Sequence, residues 1–230
     1  MILHSIVVTA LVAALFVPAA AQRRTTPTRT FPKPKVDVNL KQPKPYLVPE
    51  EDWRRLATAL KNENWTVASN IAKADLELVQ VENEKRQLAQ LRYIRMYALS
   101  GQILRLYEVG RNTDAEALWA ELDGVVAQNI GKEIIMPARF YADDCSKKLN
   151  YLCRVKGSVD ELRTTATDNG GTGIHSFEYV KFESPVPPIS DGAKLFVGGT
   201  LNNAEYNDEP EKPWVLRLFV KNGFVAESLP

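Results

Sequence analysis

Tyr151-Leu-Cys-Arg-Val-Lys-Gly-Ser-Val159 is where the hydrophobic period of this chain changes. Tyr151, Cys153, Val155 and Val159 alternate with Arg154, Lys156 and Ser158, the period of two expected of a half-buried strand. Upstream the period is helical: Trp53, Leu56, Ala57 and Leu60 fall at i, i+3, i+4 and i+7. The 230-residue chain therefore reads as α+β, helices first and strands second.

Working forward from residue 151, turn chemistry divides the strand half, residues 151–230. Asp168-Asn-Gly-Gly171 is a turn signal, and Ile174 to Phe182 is a strand closed by Ser184-Pro-Val-Pro-Pro188. Ala193–Leu201 is the next strand, followed by a polar loop from Asn202 to Pro213 and a strand from Trp214 to Val220. Asn222-Gly223 reads as a tight hairpin into Phe224–Glu227. Strands without intervening helices imply a small antiparallel barrel or sandwich. Arg154-Val-Lys-Gly157-Ser-Val159-Asp-Glu-Leu and Phe196-Val-Gly-Gly199-Thr-Leu resemble the first and fourth strands of an OB-type barrel, over residues 150–228. There glycines permit the curvature that closure needs. An SH3-like barrel fits the same pattern.

Working backward, residues 131–150 are a junction, with Glu133-Ile-Ile-Met as strand or helix end before Pro137. Residues 50–130 carry four helical patterns. Asn64 is the expected N-cap of the second, and Thr113 with Glu116 makes a capping box for the fourth. Trp53-x2-Leu56 followed by Asn64-Trp65-x2-Ala68 resembles a tetratricopeptide-type hairpin, echoed by Leu91, Ile94, Ala115 and Leu118. The offsets between the two are 38 and 47 residues, not a constant 34, so the repeat over 53–127 is degenerate. Such a resemblance implies a groove for peptides or partner proteins. A plain helical bundle packed on the strand half explains the same spacing.

The amino-terminal region sets the compartment. Ile6 to Val17 is uncharged and apolar, shorter than the ~20 residues that span a bilayer. Pro18 and Ala19-Ala-Ala21 then supply a breaker and small residues, so residues 1–21 read as a cleavable export signal. Met1-Ile-Leu-His-Ser5 has no cation, whereas Arg23 and Arg24 follow the apolar run, which leaves an anchor through residues 6–20 as the rival. Residues 22–49 hold seven basic residues, one acidic residue and six prolines. They read as an extended linker with too little apolar surface to fold. Its charge serves either solubility or attachment to an anionic surface. The rest of the chain holds 22 basic and 27 acidic residues.

Several chemistries lack their residues. Cys145 and Cys153 are the only cysteines; in an oxidising compartment their spacing predicts a disulfide, and it is not the Cys-x-x-Cys of a redox catalyst. His175 is the only histidine after residue 21, which excludes multi-histidine and cysteine-rich metal sites and leaves a Ser-His-Asp triad one candidate. No metal or cofactor is expected. Asp168-Asn-Gly-Gly-Thr-Gly173 lacks the Lys of a P-loop and the later Glu of an EF-hand. The clusters Asp143-Asp144 and Asp208-Glu-Pro-Glu211 could do hydrolytic chemistry only from opposite sides of a cleft. His175, Phe177, Tyr179 and Lys181 are expected on one face of a strand, as a binding surface or as core.

These readings point to an exported, non-enzymatic binding or scaffold protein of the cell envelope, periplasmic or secreted, meeting a protein or polymer partner and not nucleic acid. Two alternatives stand beside it. One is a carboxylate hydrolase acting on an envelope polysaccharide, which needs two of Asp143, Asp144, Asp168, Glu178 and Asp191 to converge. The other is a module for a small ligand or oligosaccharide, which needs Phe177 and Tyr179 exposed on a concave face.

Overall fold

The computed structural model describes residues 48–79, 85–167, 173–207 and 215–229. All lie within one compact unit spanning 43–230. The export and linker readings, most of the 168–173 loop and the 208–211 acidic cluster lie outside the described residues. The described chain is α+β. Four helices come first: α1 (Glu50–Lys61), α2 (Trp65–Leu78), α3 (Lys85–Glu108) and α4 (Asn112–Asn129). Six strands follow in one curled sheet: β1 (Glu133–Phe140), β2 (Leu152–Arg154), β3 (Glu161–Thr167), β4 (Ile174–Phe182), β5 (Lys194–Tyr206) and β6 (Leu216–Ala226). No helix among the described residues is long and apolar enough to cross a membrane.

The helix starts follow local chemistry. α1 begins after Pro49 with Glu50, Glu51 and Asp52 in its first turn and Lys61 in its last, matching the helix dipole. Asn64 caps α2, its side chain accepting from the Val67 amide at 3.3 Å. α4 departs from expectation. It starts at Asn112, so Thr113 sits inside the helix and the capping box does not form. Arg111 instead pairs with Asp114 at 2.6 Å across the first turn.

α3 is the centre of the molecule. Every residue from Tyr93 to Gly101 is buried, so this helix has no solvent face along its middle. It packs against α2, α4 and β1, and helices and strands share one hydrophobic core. Trp65 of α2 reaches Phe177 of β4, rings parallel within 3° and centroids 5.5 Å apart. Gly101 makes room for that ring: a Cβ there would meet the Trp65 indole at 2.3 Å.

The strand order is β1-β5-β6-β4-β3-β2. The expected all-antiparallel sheet is corrected at one pairing: β4 and β6 run parallel. β6 inserts between β4 and β5, and pairing antiparallel to β5 makes it parallel to β4. A single bridge between Tyr141 and Leu152 draws the two sheet edges together, with the Ala142 amide donating to the Leu152 carbonyl at 2.9 Å. Cys145 and Cys153 are paired beside it, Cα atoms 6.2 Å apart and packed with Ala142 and Tyr151.

Three strand boundaries also change. The run 154–162 is not one curved strand, because Gly157 at φ +80° turns the chain between β2 and β3. The junction segment becomes β1, with its irregularity at Pro137, which has no amide to give the ladder. Asn222-Gly223 makes no hairpin. β6 runs through it, Asn222 at φ +48° supplying a bulge where β5 keeps pairing as far as Phe196 with Ala226.

The Gly101 contact generates a direct test. Gly101→Ala forces the Trp65 ring out of its stack, and overpacking of this kind costs about 1–3 kcal/mol or more. Thermal unfolding should show a midpoint several degrees lower; an unchanged midpoint would mean Trp65 does not pack against Gly101.

Candidate functional site

Two bulges decide which side chains meet. In β4, Tyr179 pairs with Arg163 and Ser176 with Thr165, so Phe177 and Glu178 both lie opposite Thr164. Beyond the bulge the alternation is inverted. The expected common face of His175, Phe177, Tyr179 and Lys181 is therefore corrected: His175 and Phe177 turn inward, Tyr179 and Lys181 outward. Phe177 is fully buried between Trp65 and Tyr97, with the Tyr97 centroid 4.9 Å away at 74°. His175 is half-buried.

On the outer face, cross-strand pairing sets Arg163, Tyr179, Arg217 and Glu205 in one row. Lys181 and Phe219 stand beside it in the next. The Arg217 guanidinium lies 5.2 Å from the Tyr179 centroid, and forms ion pairs with Glu161 at 2.8 Å and Glu205 at 3.2 Å. Lys181 lies 3.9 Å from Asp160. Tyr179 and Lys181 were legible as candidates, whereas Arg217 and Phe219 join them only through the parallel β4–β6 pairing.

The inward-turned Glu178 forms a second constellation. Its carboxylate accepts from the Tyr93 hydroxyl of α3 at 2.6 Å. Arg139 donates to the same hydroxyl at 3.3 Å, and its guanidinium lies 4.6 Å from the Tyr97 centroid. The β1 bulge at Pro137 makes this possible: Met136 pairs with Val197 and Arg139 with Leu195, so the extra residue turns Arg139 toward the core. Arg139 as a residue is half-buried, but its Nη1 has no solvent contact. Glu178 has none at all. Glu178 Oε1, Thr164 Oγ1, Tyr97 Oη and Arg139 Nη1 are buried without a well-aligned hydrogen bond among the described residues, although Thr164 lies near enough to Glu178, and Arg139 to Tyr97, to interact. Burial pushes the Glu178 carboxyl up to about 7, against the opposing pull of Arg139, the Tyr93 hydroxyl and Thr164. Burial likewise raises Tyr93, which stays protonated.

The third constellation is a groove of about 630 Å³ bounded by α2, α3 and α4. Leu76, Val79, Leu88 and Val125 give it apolar walls. Lys73, Arg92, Arg95 and Lys132 outnumber Glu77 and Glu121 in its lining. These residues follow helical spacing: 73, 76 and 77 on α2; 88, 92 and 95 on α3; 121, 124, 125 and 128 on α4. The repeating charge at i, i+3 and i+4 was present in the sequence; that the three faces converge was not.

Among the acidic residues, the Asp143 amide donates to the Asp191 carboxylate at 3.1 Å. Both line a surface concavity with Asp144, Lys147 and Lys148, so Asp143 and Asp191 do converge from separate segments, the arrangement that the hydrolase alternative needs. Glu178 lies apart in the core, and Asp168 is outside the described residues. Among the described residues, no three His, Cys, Asp or Glu side chains group closely enough to hold a metal.

No protein-family model, curated protein or solved structure matches this chain.

The Glu178 cluster predicts a pH dependence. Its folded-state pKa lies above the unfolded value near 4.5, so the native state holds the extra proton between these values. Stability is therefore greatest below about pH 4.5 for this group, and falls as pH rises through 7, by up to about 3 kcal/mol. Urea unfolding from pH 5 to 8.5 should show this fall in the wild type and a flatter profile in Glu178→Gln. Parallel profiles would remove the role assigned to Glu178.

Proposed function

We propose that this chain is a non-enzymatic binding protein that receives a segment of a partner protein in the groove between α2, α3 and α4. The observation that carries this reading is the groove itself: apolar walls, a cationic lining and a volume of about 630 Å³. Apolar walls give a segment somewhere to bury side chains, and fixed charges on the rim select its sign. The non-enzymatic part is supported by the placement of the strongest ionisable cluster. Glu178 and Tyr93 are enclosed between α3 and the sheet, where no substrate reaches the carboxylate.

The setting we infer is outside the cytoplasm, in the periplasm or secreted. It rests on residues 1–21 as an export signal and is compatible with the Cys145–Cys153 pair. The basic segment 22–49 is then a tether or an attachment to an anionic surface. We further read the helices as degenerate tetratricopeptide-like hairpins, supported by buried Trp65 and Ala68 and weakened by unequal helix lengths of 12, 14, 24 and 18 residues. The curled sheet with its single parallel pairing supports an OB-like, partly open barrel.

Site-specific photo-crosslinking in the native cell tests the groove. A benzophenone amino acid replacing Gln128, exposed on the rim, should yield a discrete adduct with a partner. The same probe at Glu116, exposed on α4 away from the groove, should not. Adducts at both positions, or at neither, would count against the reading.

A second reading, polymer binding on the outer sheet face, is favoured by the row of Tyr179 and Arg217 with Phe219 in the row beside it. It predicts that Tyr179→Ala lowers retention of the purified protein on envelope polysaccharide several-fold without altering the Gln128 adduct. Equal retention would dismiss it.

A further inference from the structure

The groove holds one guanidinium in an unusual position. Arg95 lies at its base, with 6% of its side chain exposed. Nη1 donates to the Ser69 carbonyl at 2.9 Å and contacts the Ser69 hydroxyl. Nη2 is held by Glu121, whose side chain is 39% exposed. The ion pair is thus asymmetric: the cation is fixed by burial and by α2, while its anion comes from the open flank of α4.

We propose that the groove recognises carboxylate-bearing segments, and that an incoming carboxylate takes the place of Glu121 on Arg95. This inference rests on the groove reading and names the chemistry of its occupant.

Exchange is inexpensive on one side only. Glu121 can turn into water, where a carboxylate is well solvated, whereas Arg95 cannot follow it. An unpaired buried cation is costly, so the vacated Nη2 demands another anion. The guanidinium offers the planar, charge-assisted geometry that suits a carboxylate.

The surrounding charge favours the same occupant. Burial lowers the pKa of Arg95, and Glu121 and Glu77 do not fully restore it. Burial also lowers Arg92 on the same face of α3, opposed by Glu133. With Lys73 and Lys132 nearby, four cations meet only Glu77 and Glu121 among the described residues of the lining, which favours an anionic occupant. The basic segment 22–49 has the wrong sign to supply it. An acidic segment with interspersed apolar residues meets both the charge and the walls.

The test uses the full chain and three labelled peptides, repeats of Leu-Glu, Leu-Gln and Leu-Lys, followed by fluorescence anisotropy. The Leu-Glu peptide should bind, Leu-Gln several-fold more weakly, and Leu-Lys not measurably. Glu121→Gln should tighten Leu-Glu binding by roughly three- to tenfold, because the competing anion is gone. Glu77→Gln removes an equal charge that does not bond Arg95, and should tighten binding less. Thermal unfolding of both variants checks that each remains folded.

Equal effects of the two substitutions would overturn the exchange at Arg95 and leave only generic charge. Equal binding of Leu-Glu and Leu-Gln would overturn carboxylate recognition while sparing the groove as a peptide site. Binding of none of the three, by wild type or by Glu121→Gln, would overturn both.

Discussion

The cost of burying Glu178 shapes the centre of this protein. A carboxylate with no solvent contact requires a donor, a nearby cation or a proton, and here the donor and the cation come from elements distant in sequence. Tyr93 arrives from α3 and Arg139 from β1. Two bulges are needed to deliver the charged members: one at Phe177–Glu178 turns the carboxylate inward, and one at Pro137 turns Arg139 inward. Neither strand could present these residues to the core by plain alternation. The cluster therefore fixes α3 against the sheet in one register, because a slip would leave a buried polar group without its partner.

The groove is a consequence of the same placement. Tyr93 and Tyr97, four apart, point α3 toward the sheet. Leu88, Arg92 and Arg95 then fall on another face of the helix, toward α2 and α4. α3 is too buried to be a surface helix, so its second polar face can meet solvent only where its neighbours part. The groove is that opening, and two of its four cations, Arg92 and Arg95, come from the helix the core has immobilised. A binding surface on such an element loses little conformational entropy when occupied.

Much of the architecture was legible in the sequence because it depends on local chemistry. The order of helices and strands, the Asn64 cap and the span of β4 from Ile174 to Phe182 follow from spacing and punctuation. The cysteine pair follows from there being two cysteines in the sequence, eight residues apart. Failures occurred where a residue's meaning depends on its cross-strand partner. Asn222-Gly223 makes a hairpin when read alone, but opposite a longer β5 it makes a bulge. Phe177 and Tyr179 share a face by counting, and the bulge between them is visible only against β3. Nothing in the local spacing singles out Arg95; its burial requires Ser69 and α4 to be in place.

Both polar constellations involve α3, yet they differ in how their charges reach solvent. In the Glu178 cluster the carboxylate and its Tyr93 donor are enclosed, so neither can be exchanged without separating helix from sheet. In the Arg95 pair one partner is fixed and the other half-free. The first arrangement suits stability and specificity of packing, because its failure is global. The second suits recognition, because one charge can be replaced while the scaffold holds still. Asymmetric burial across an ion pair, more than charge or cavity size alone, distinguishes the groove from the core beneath it.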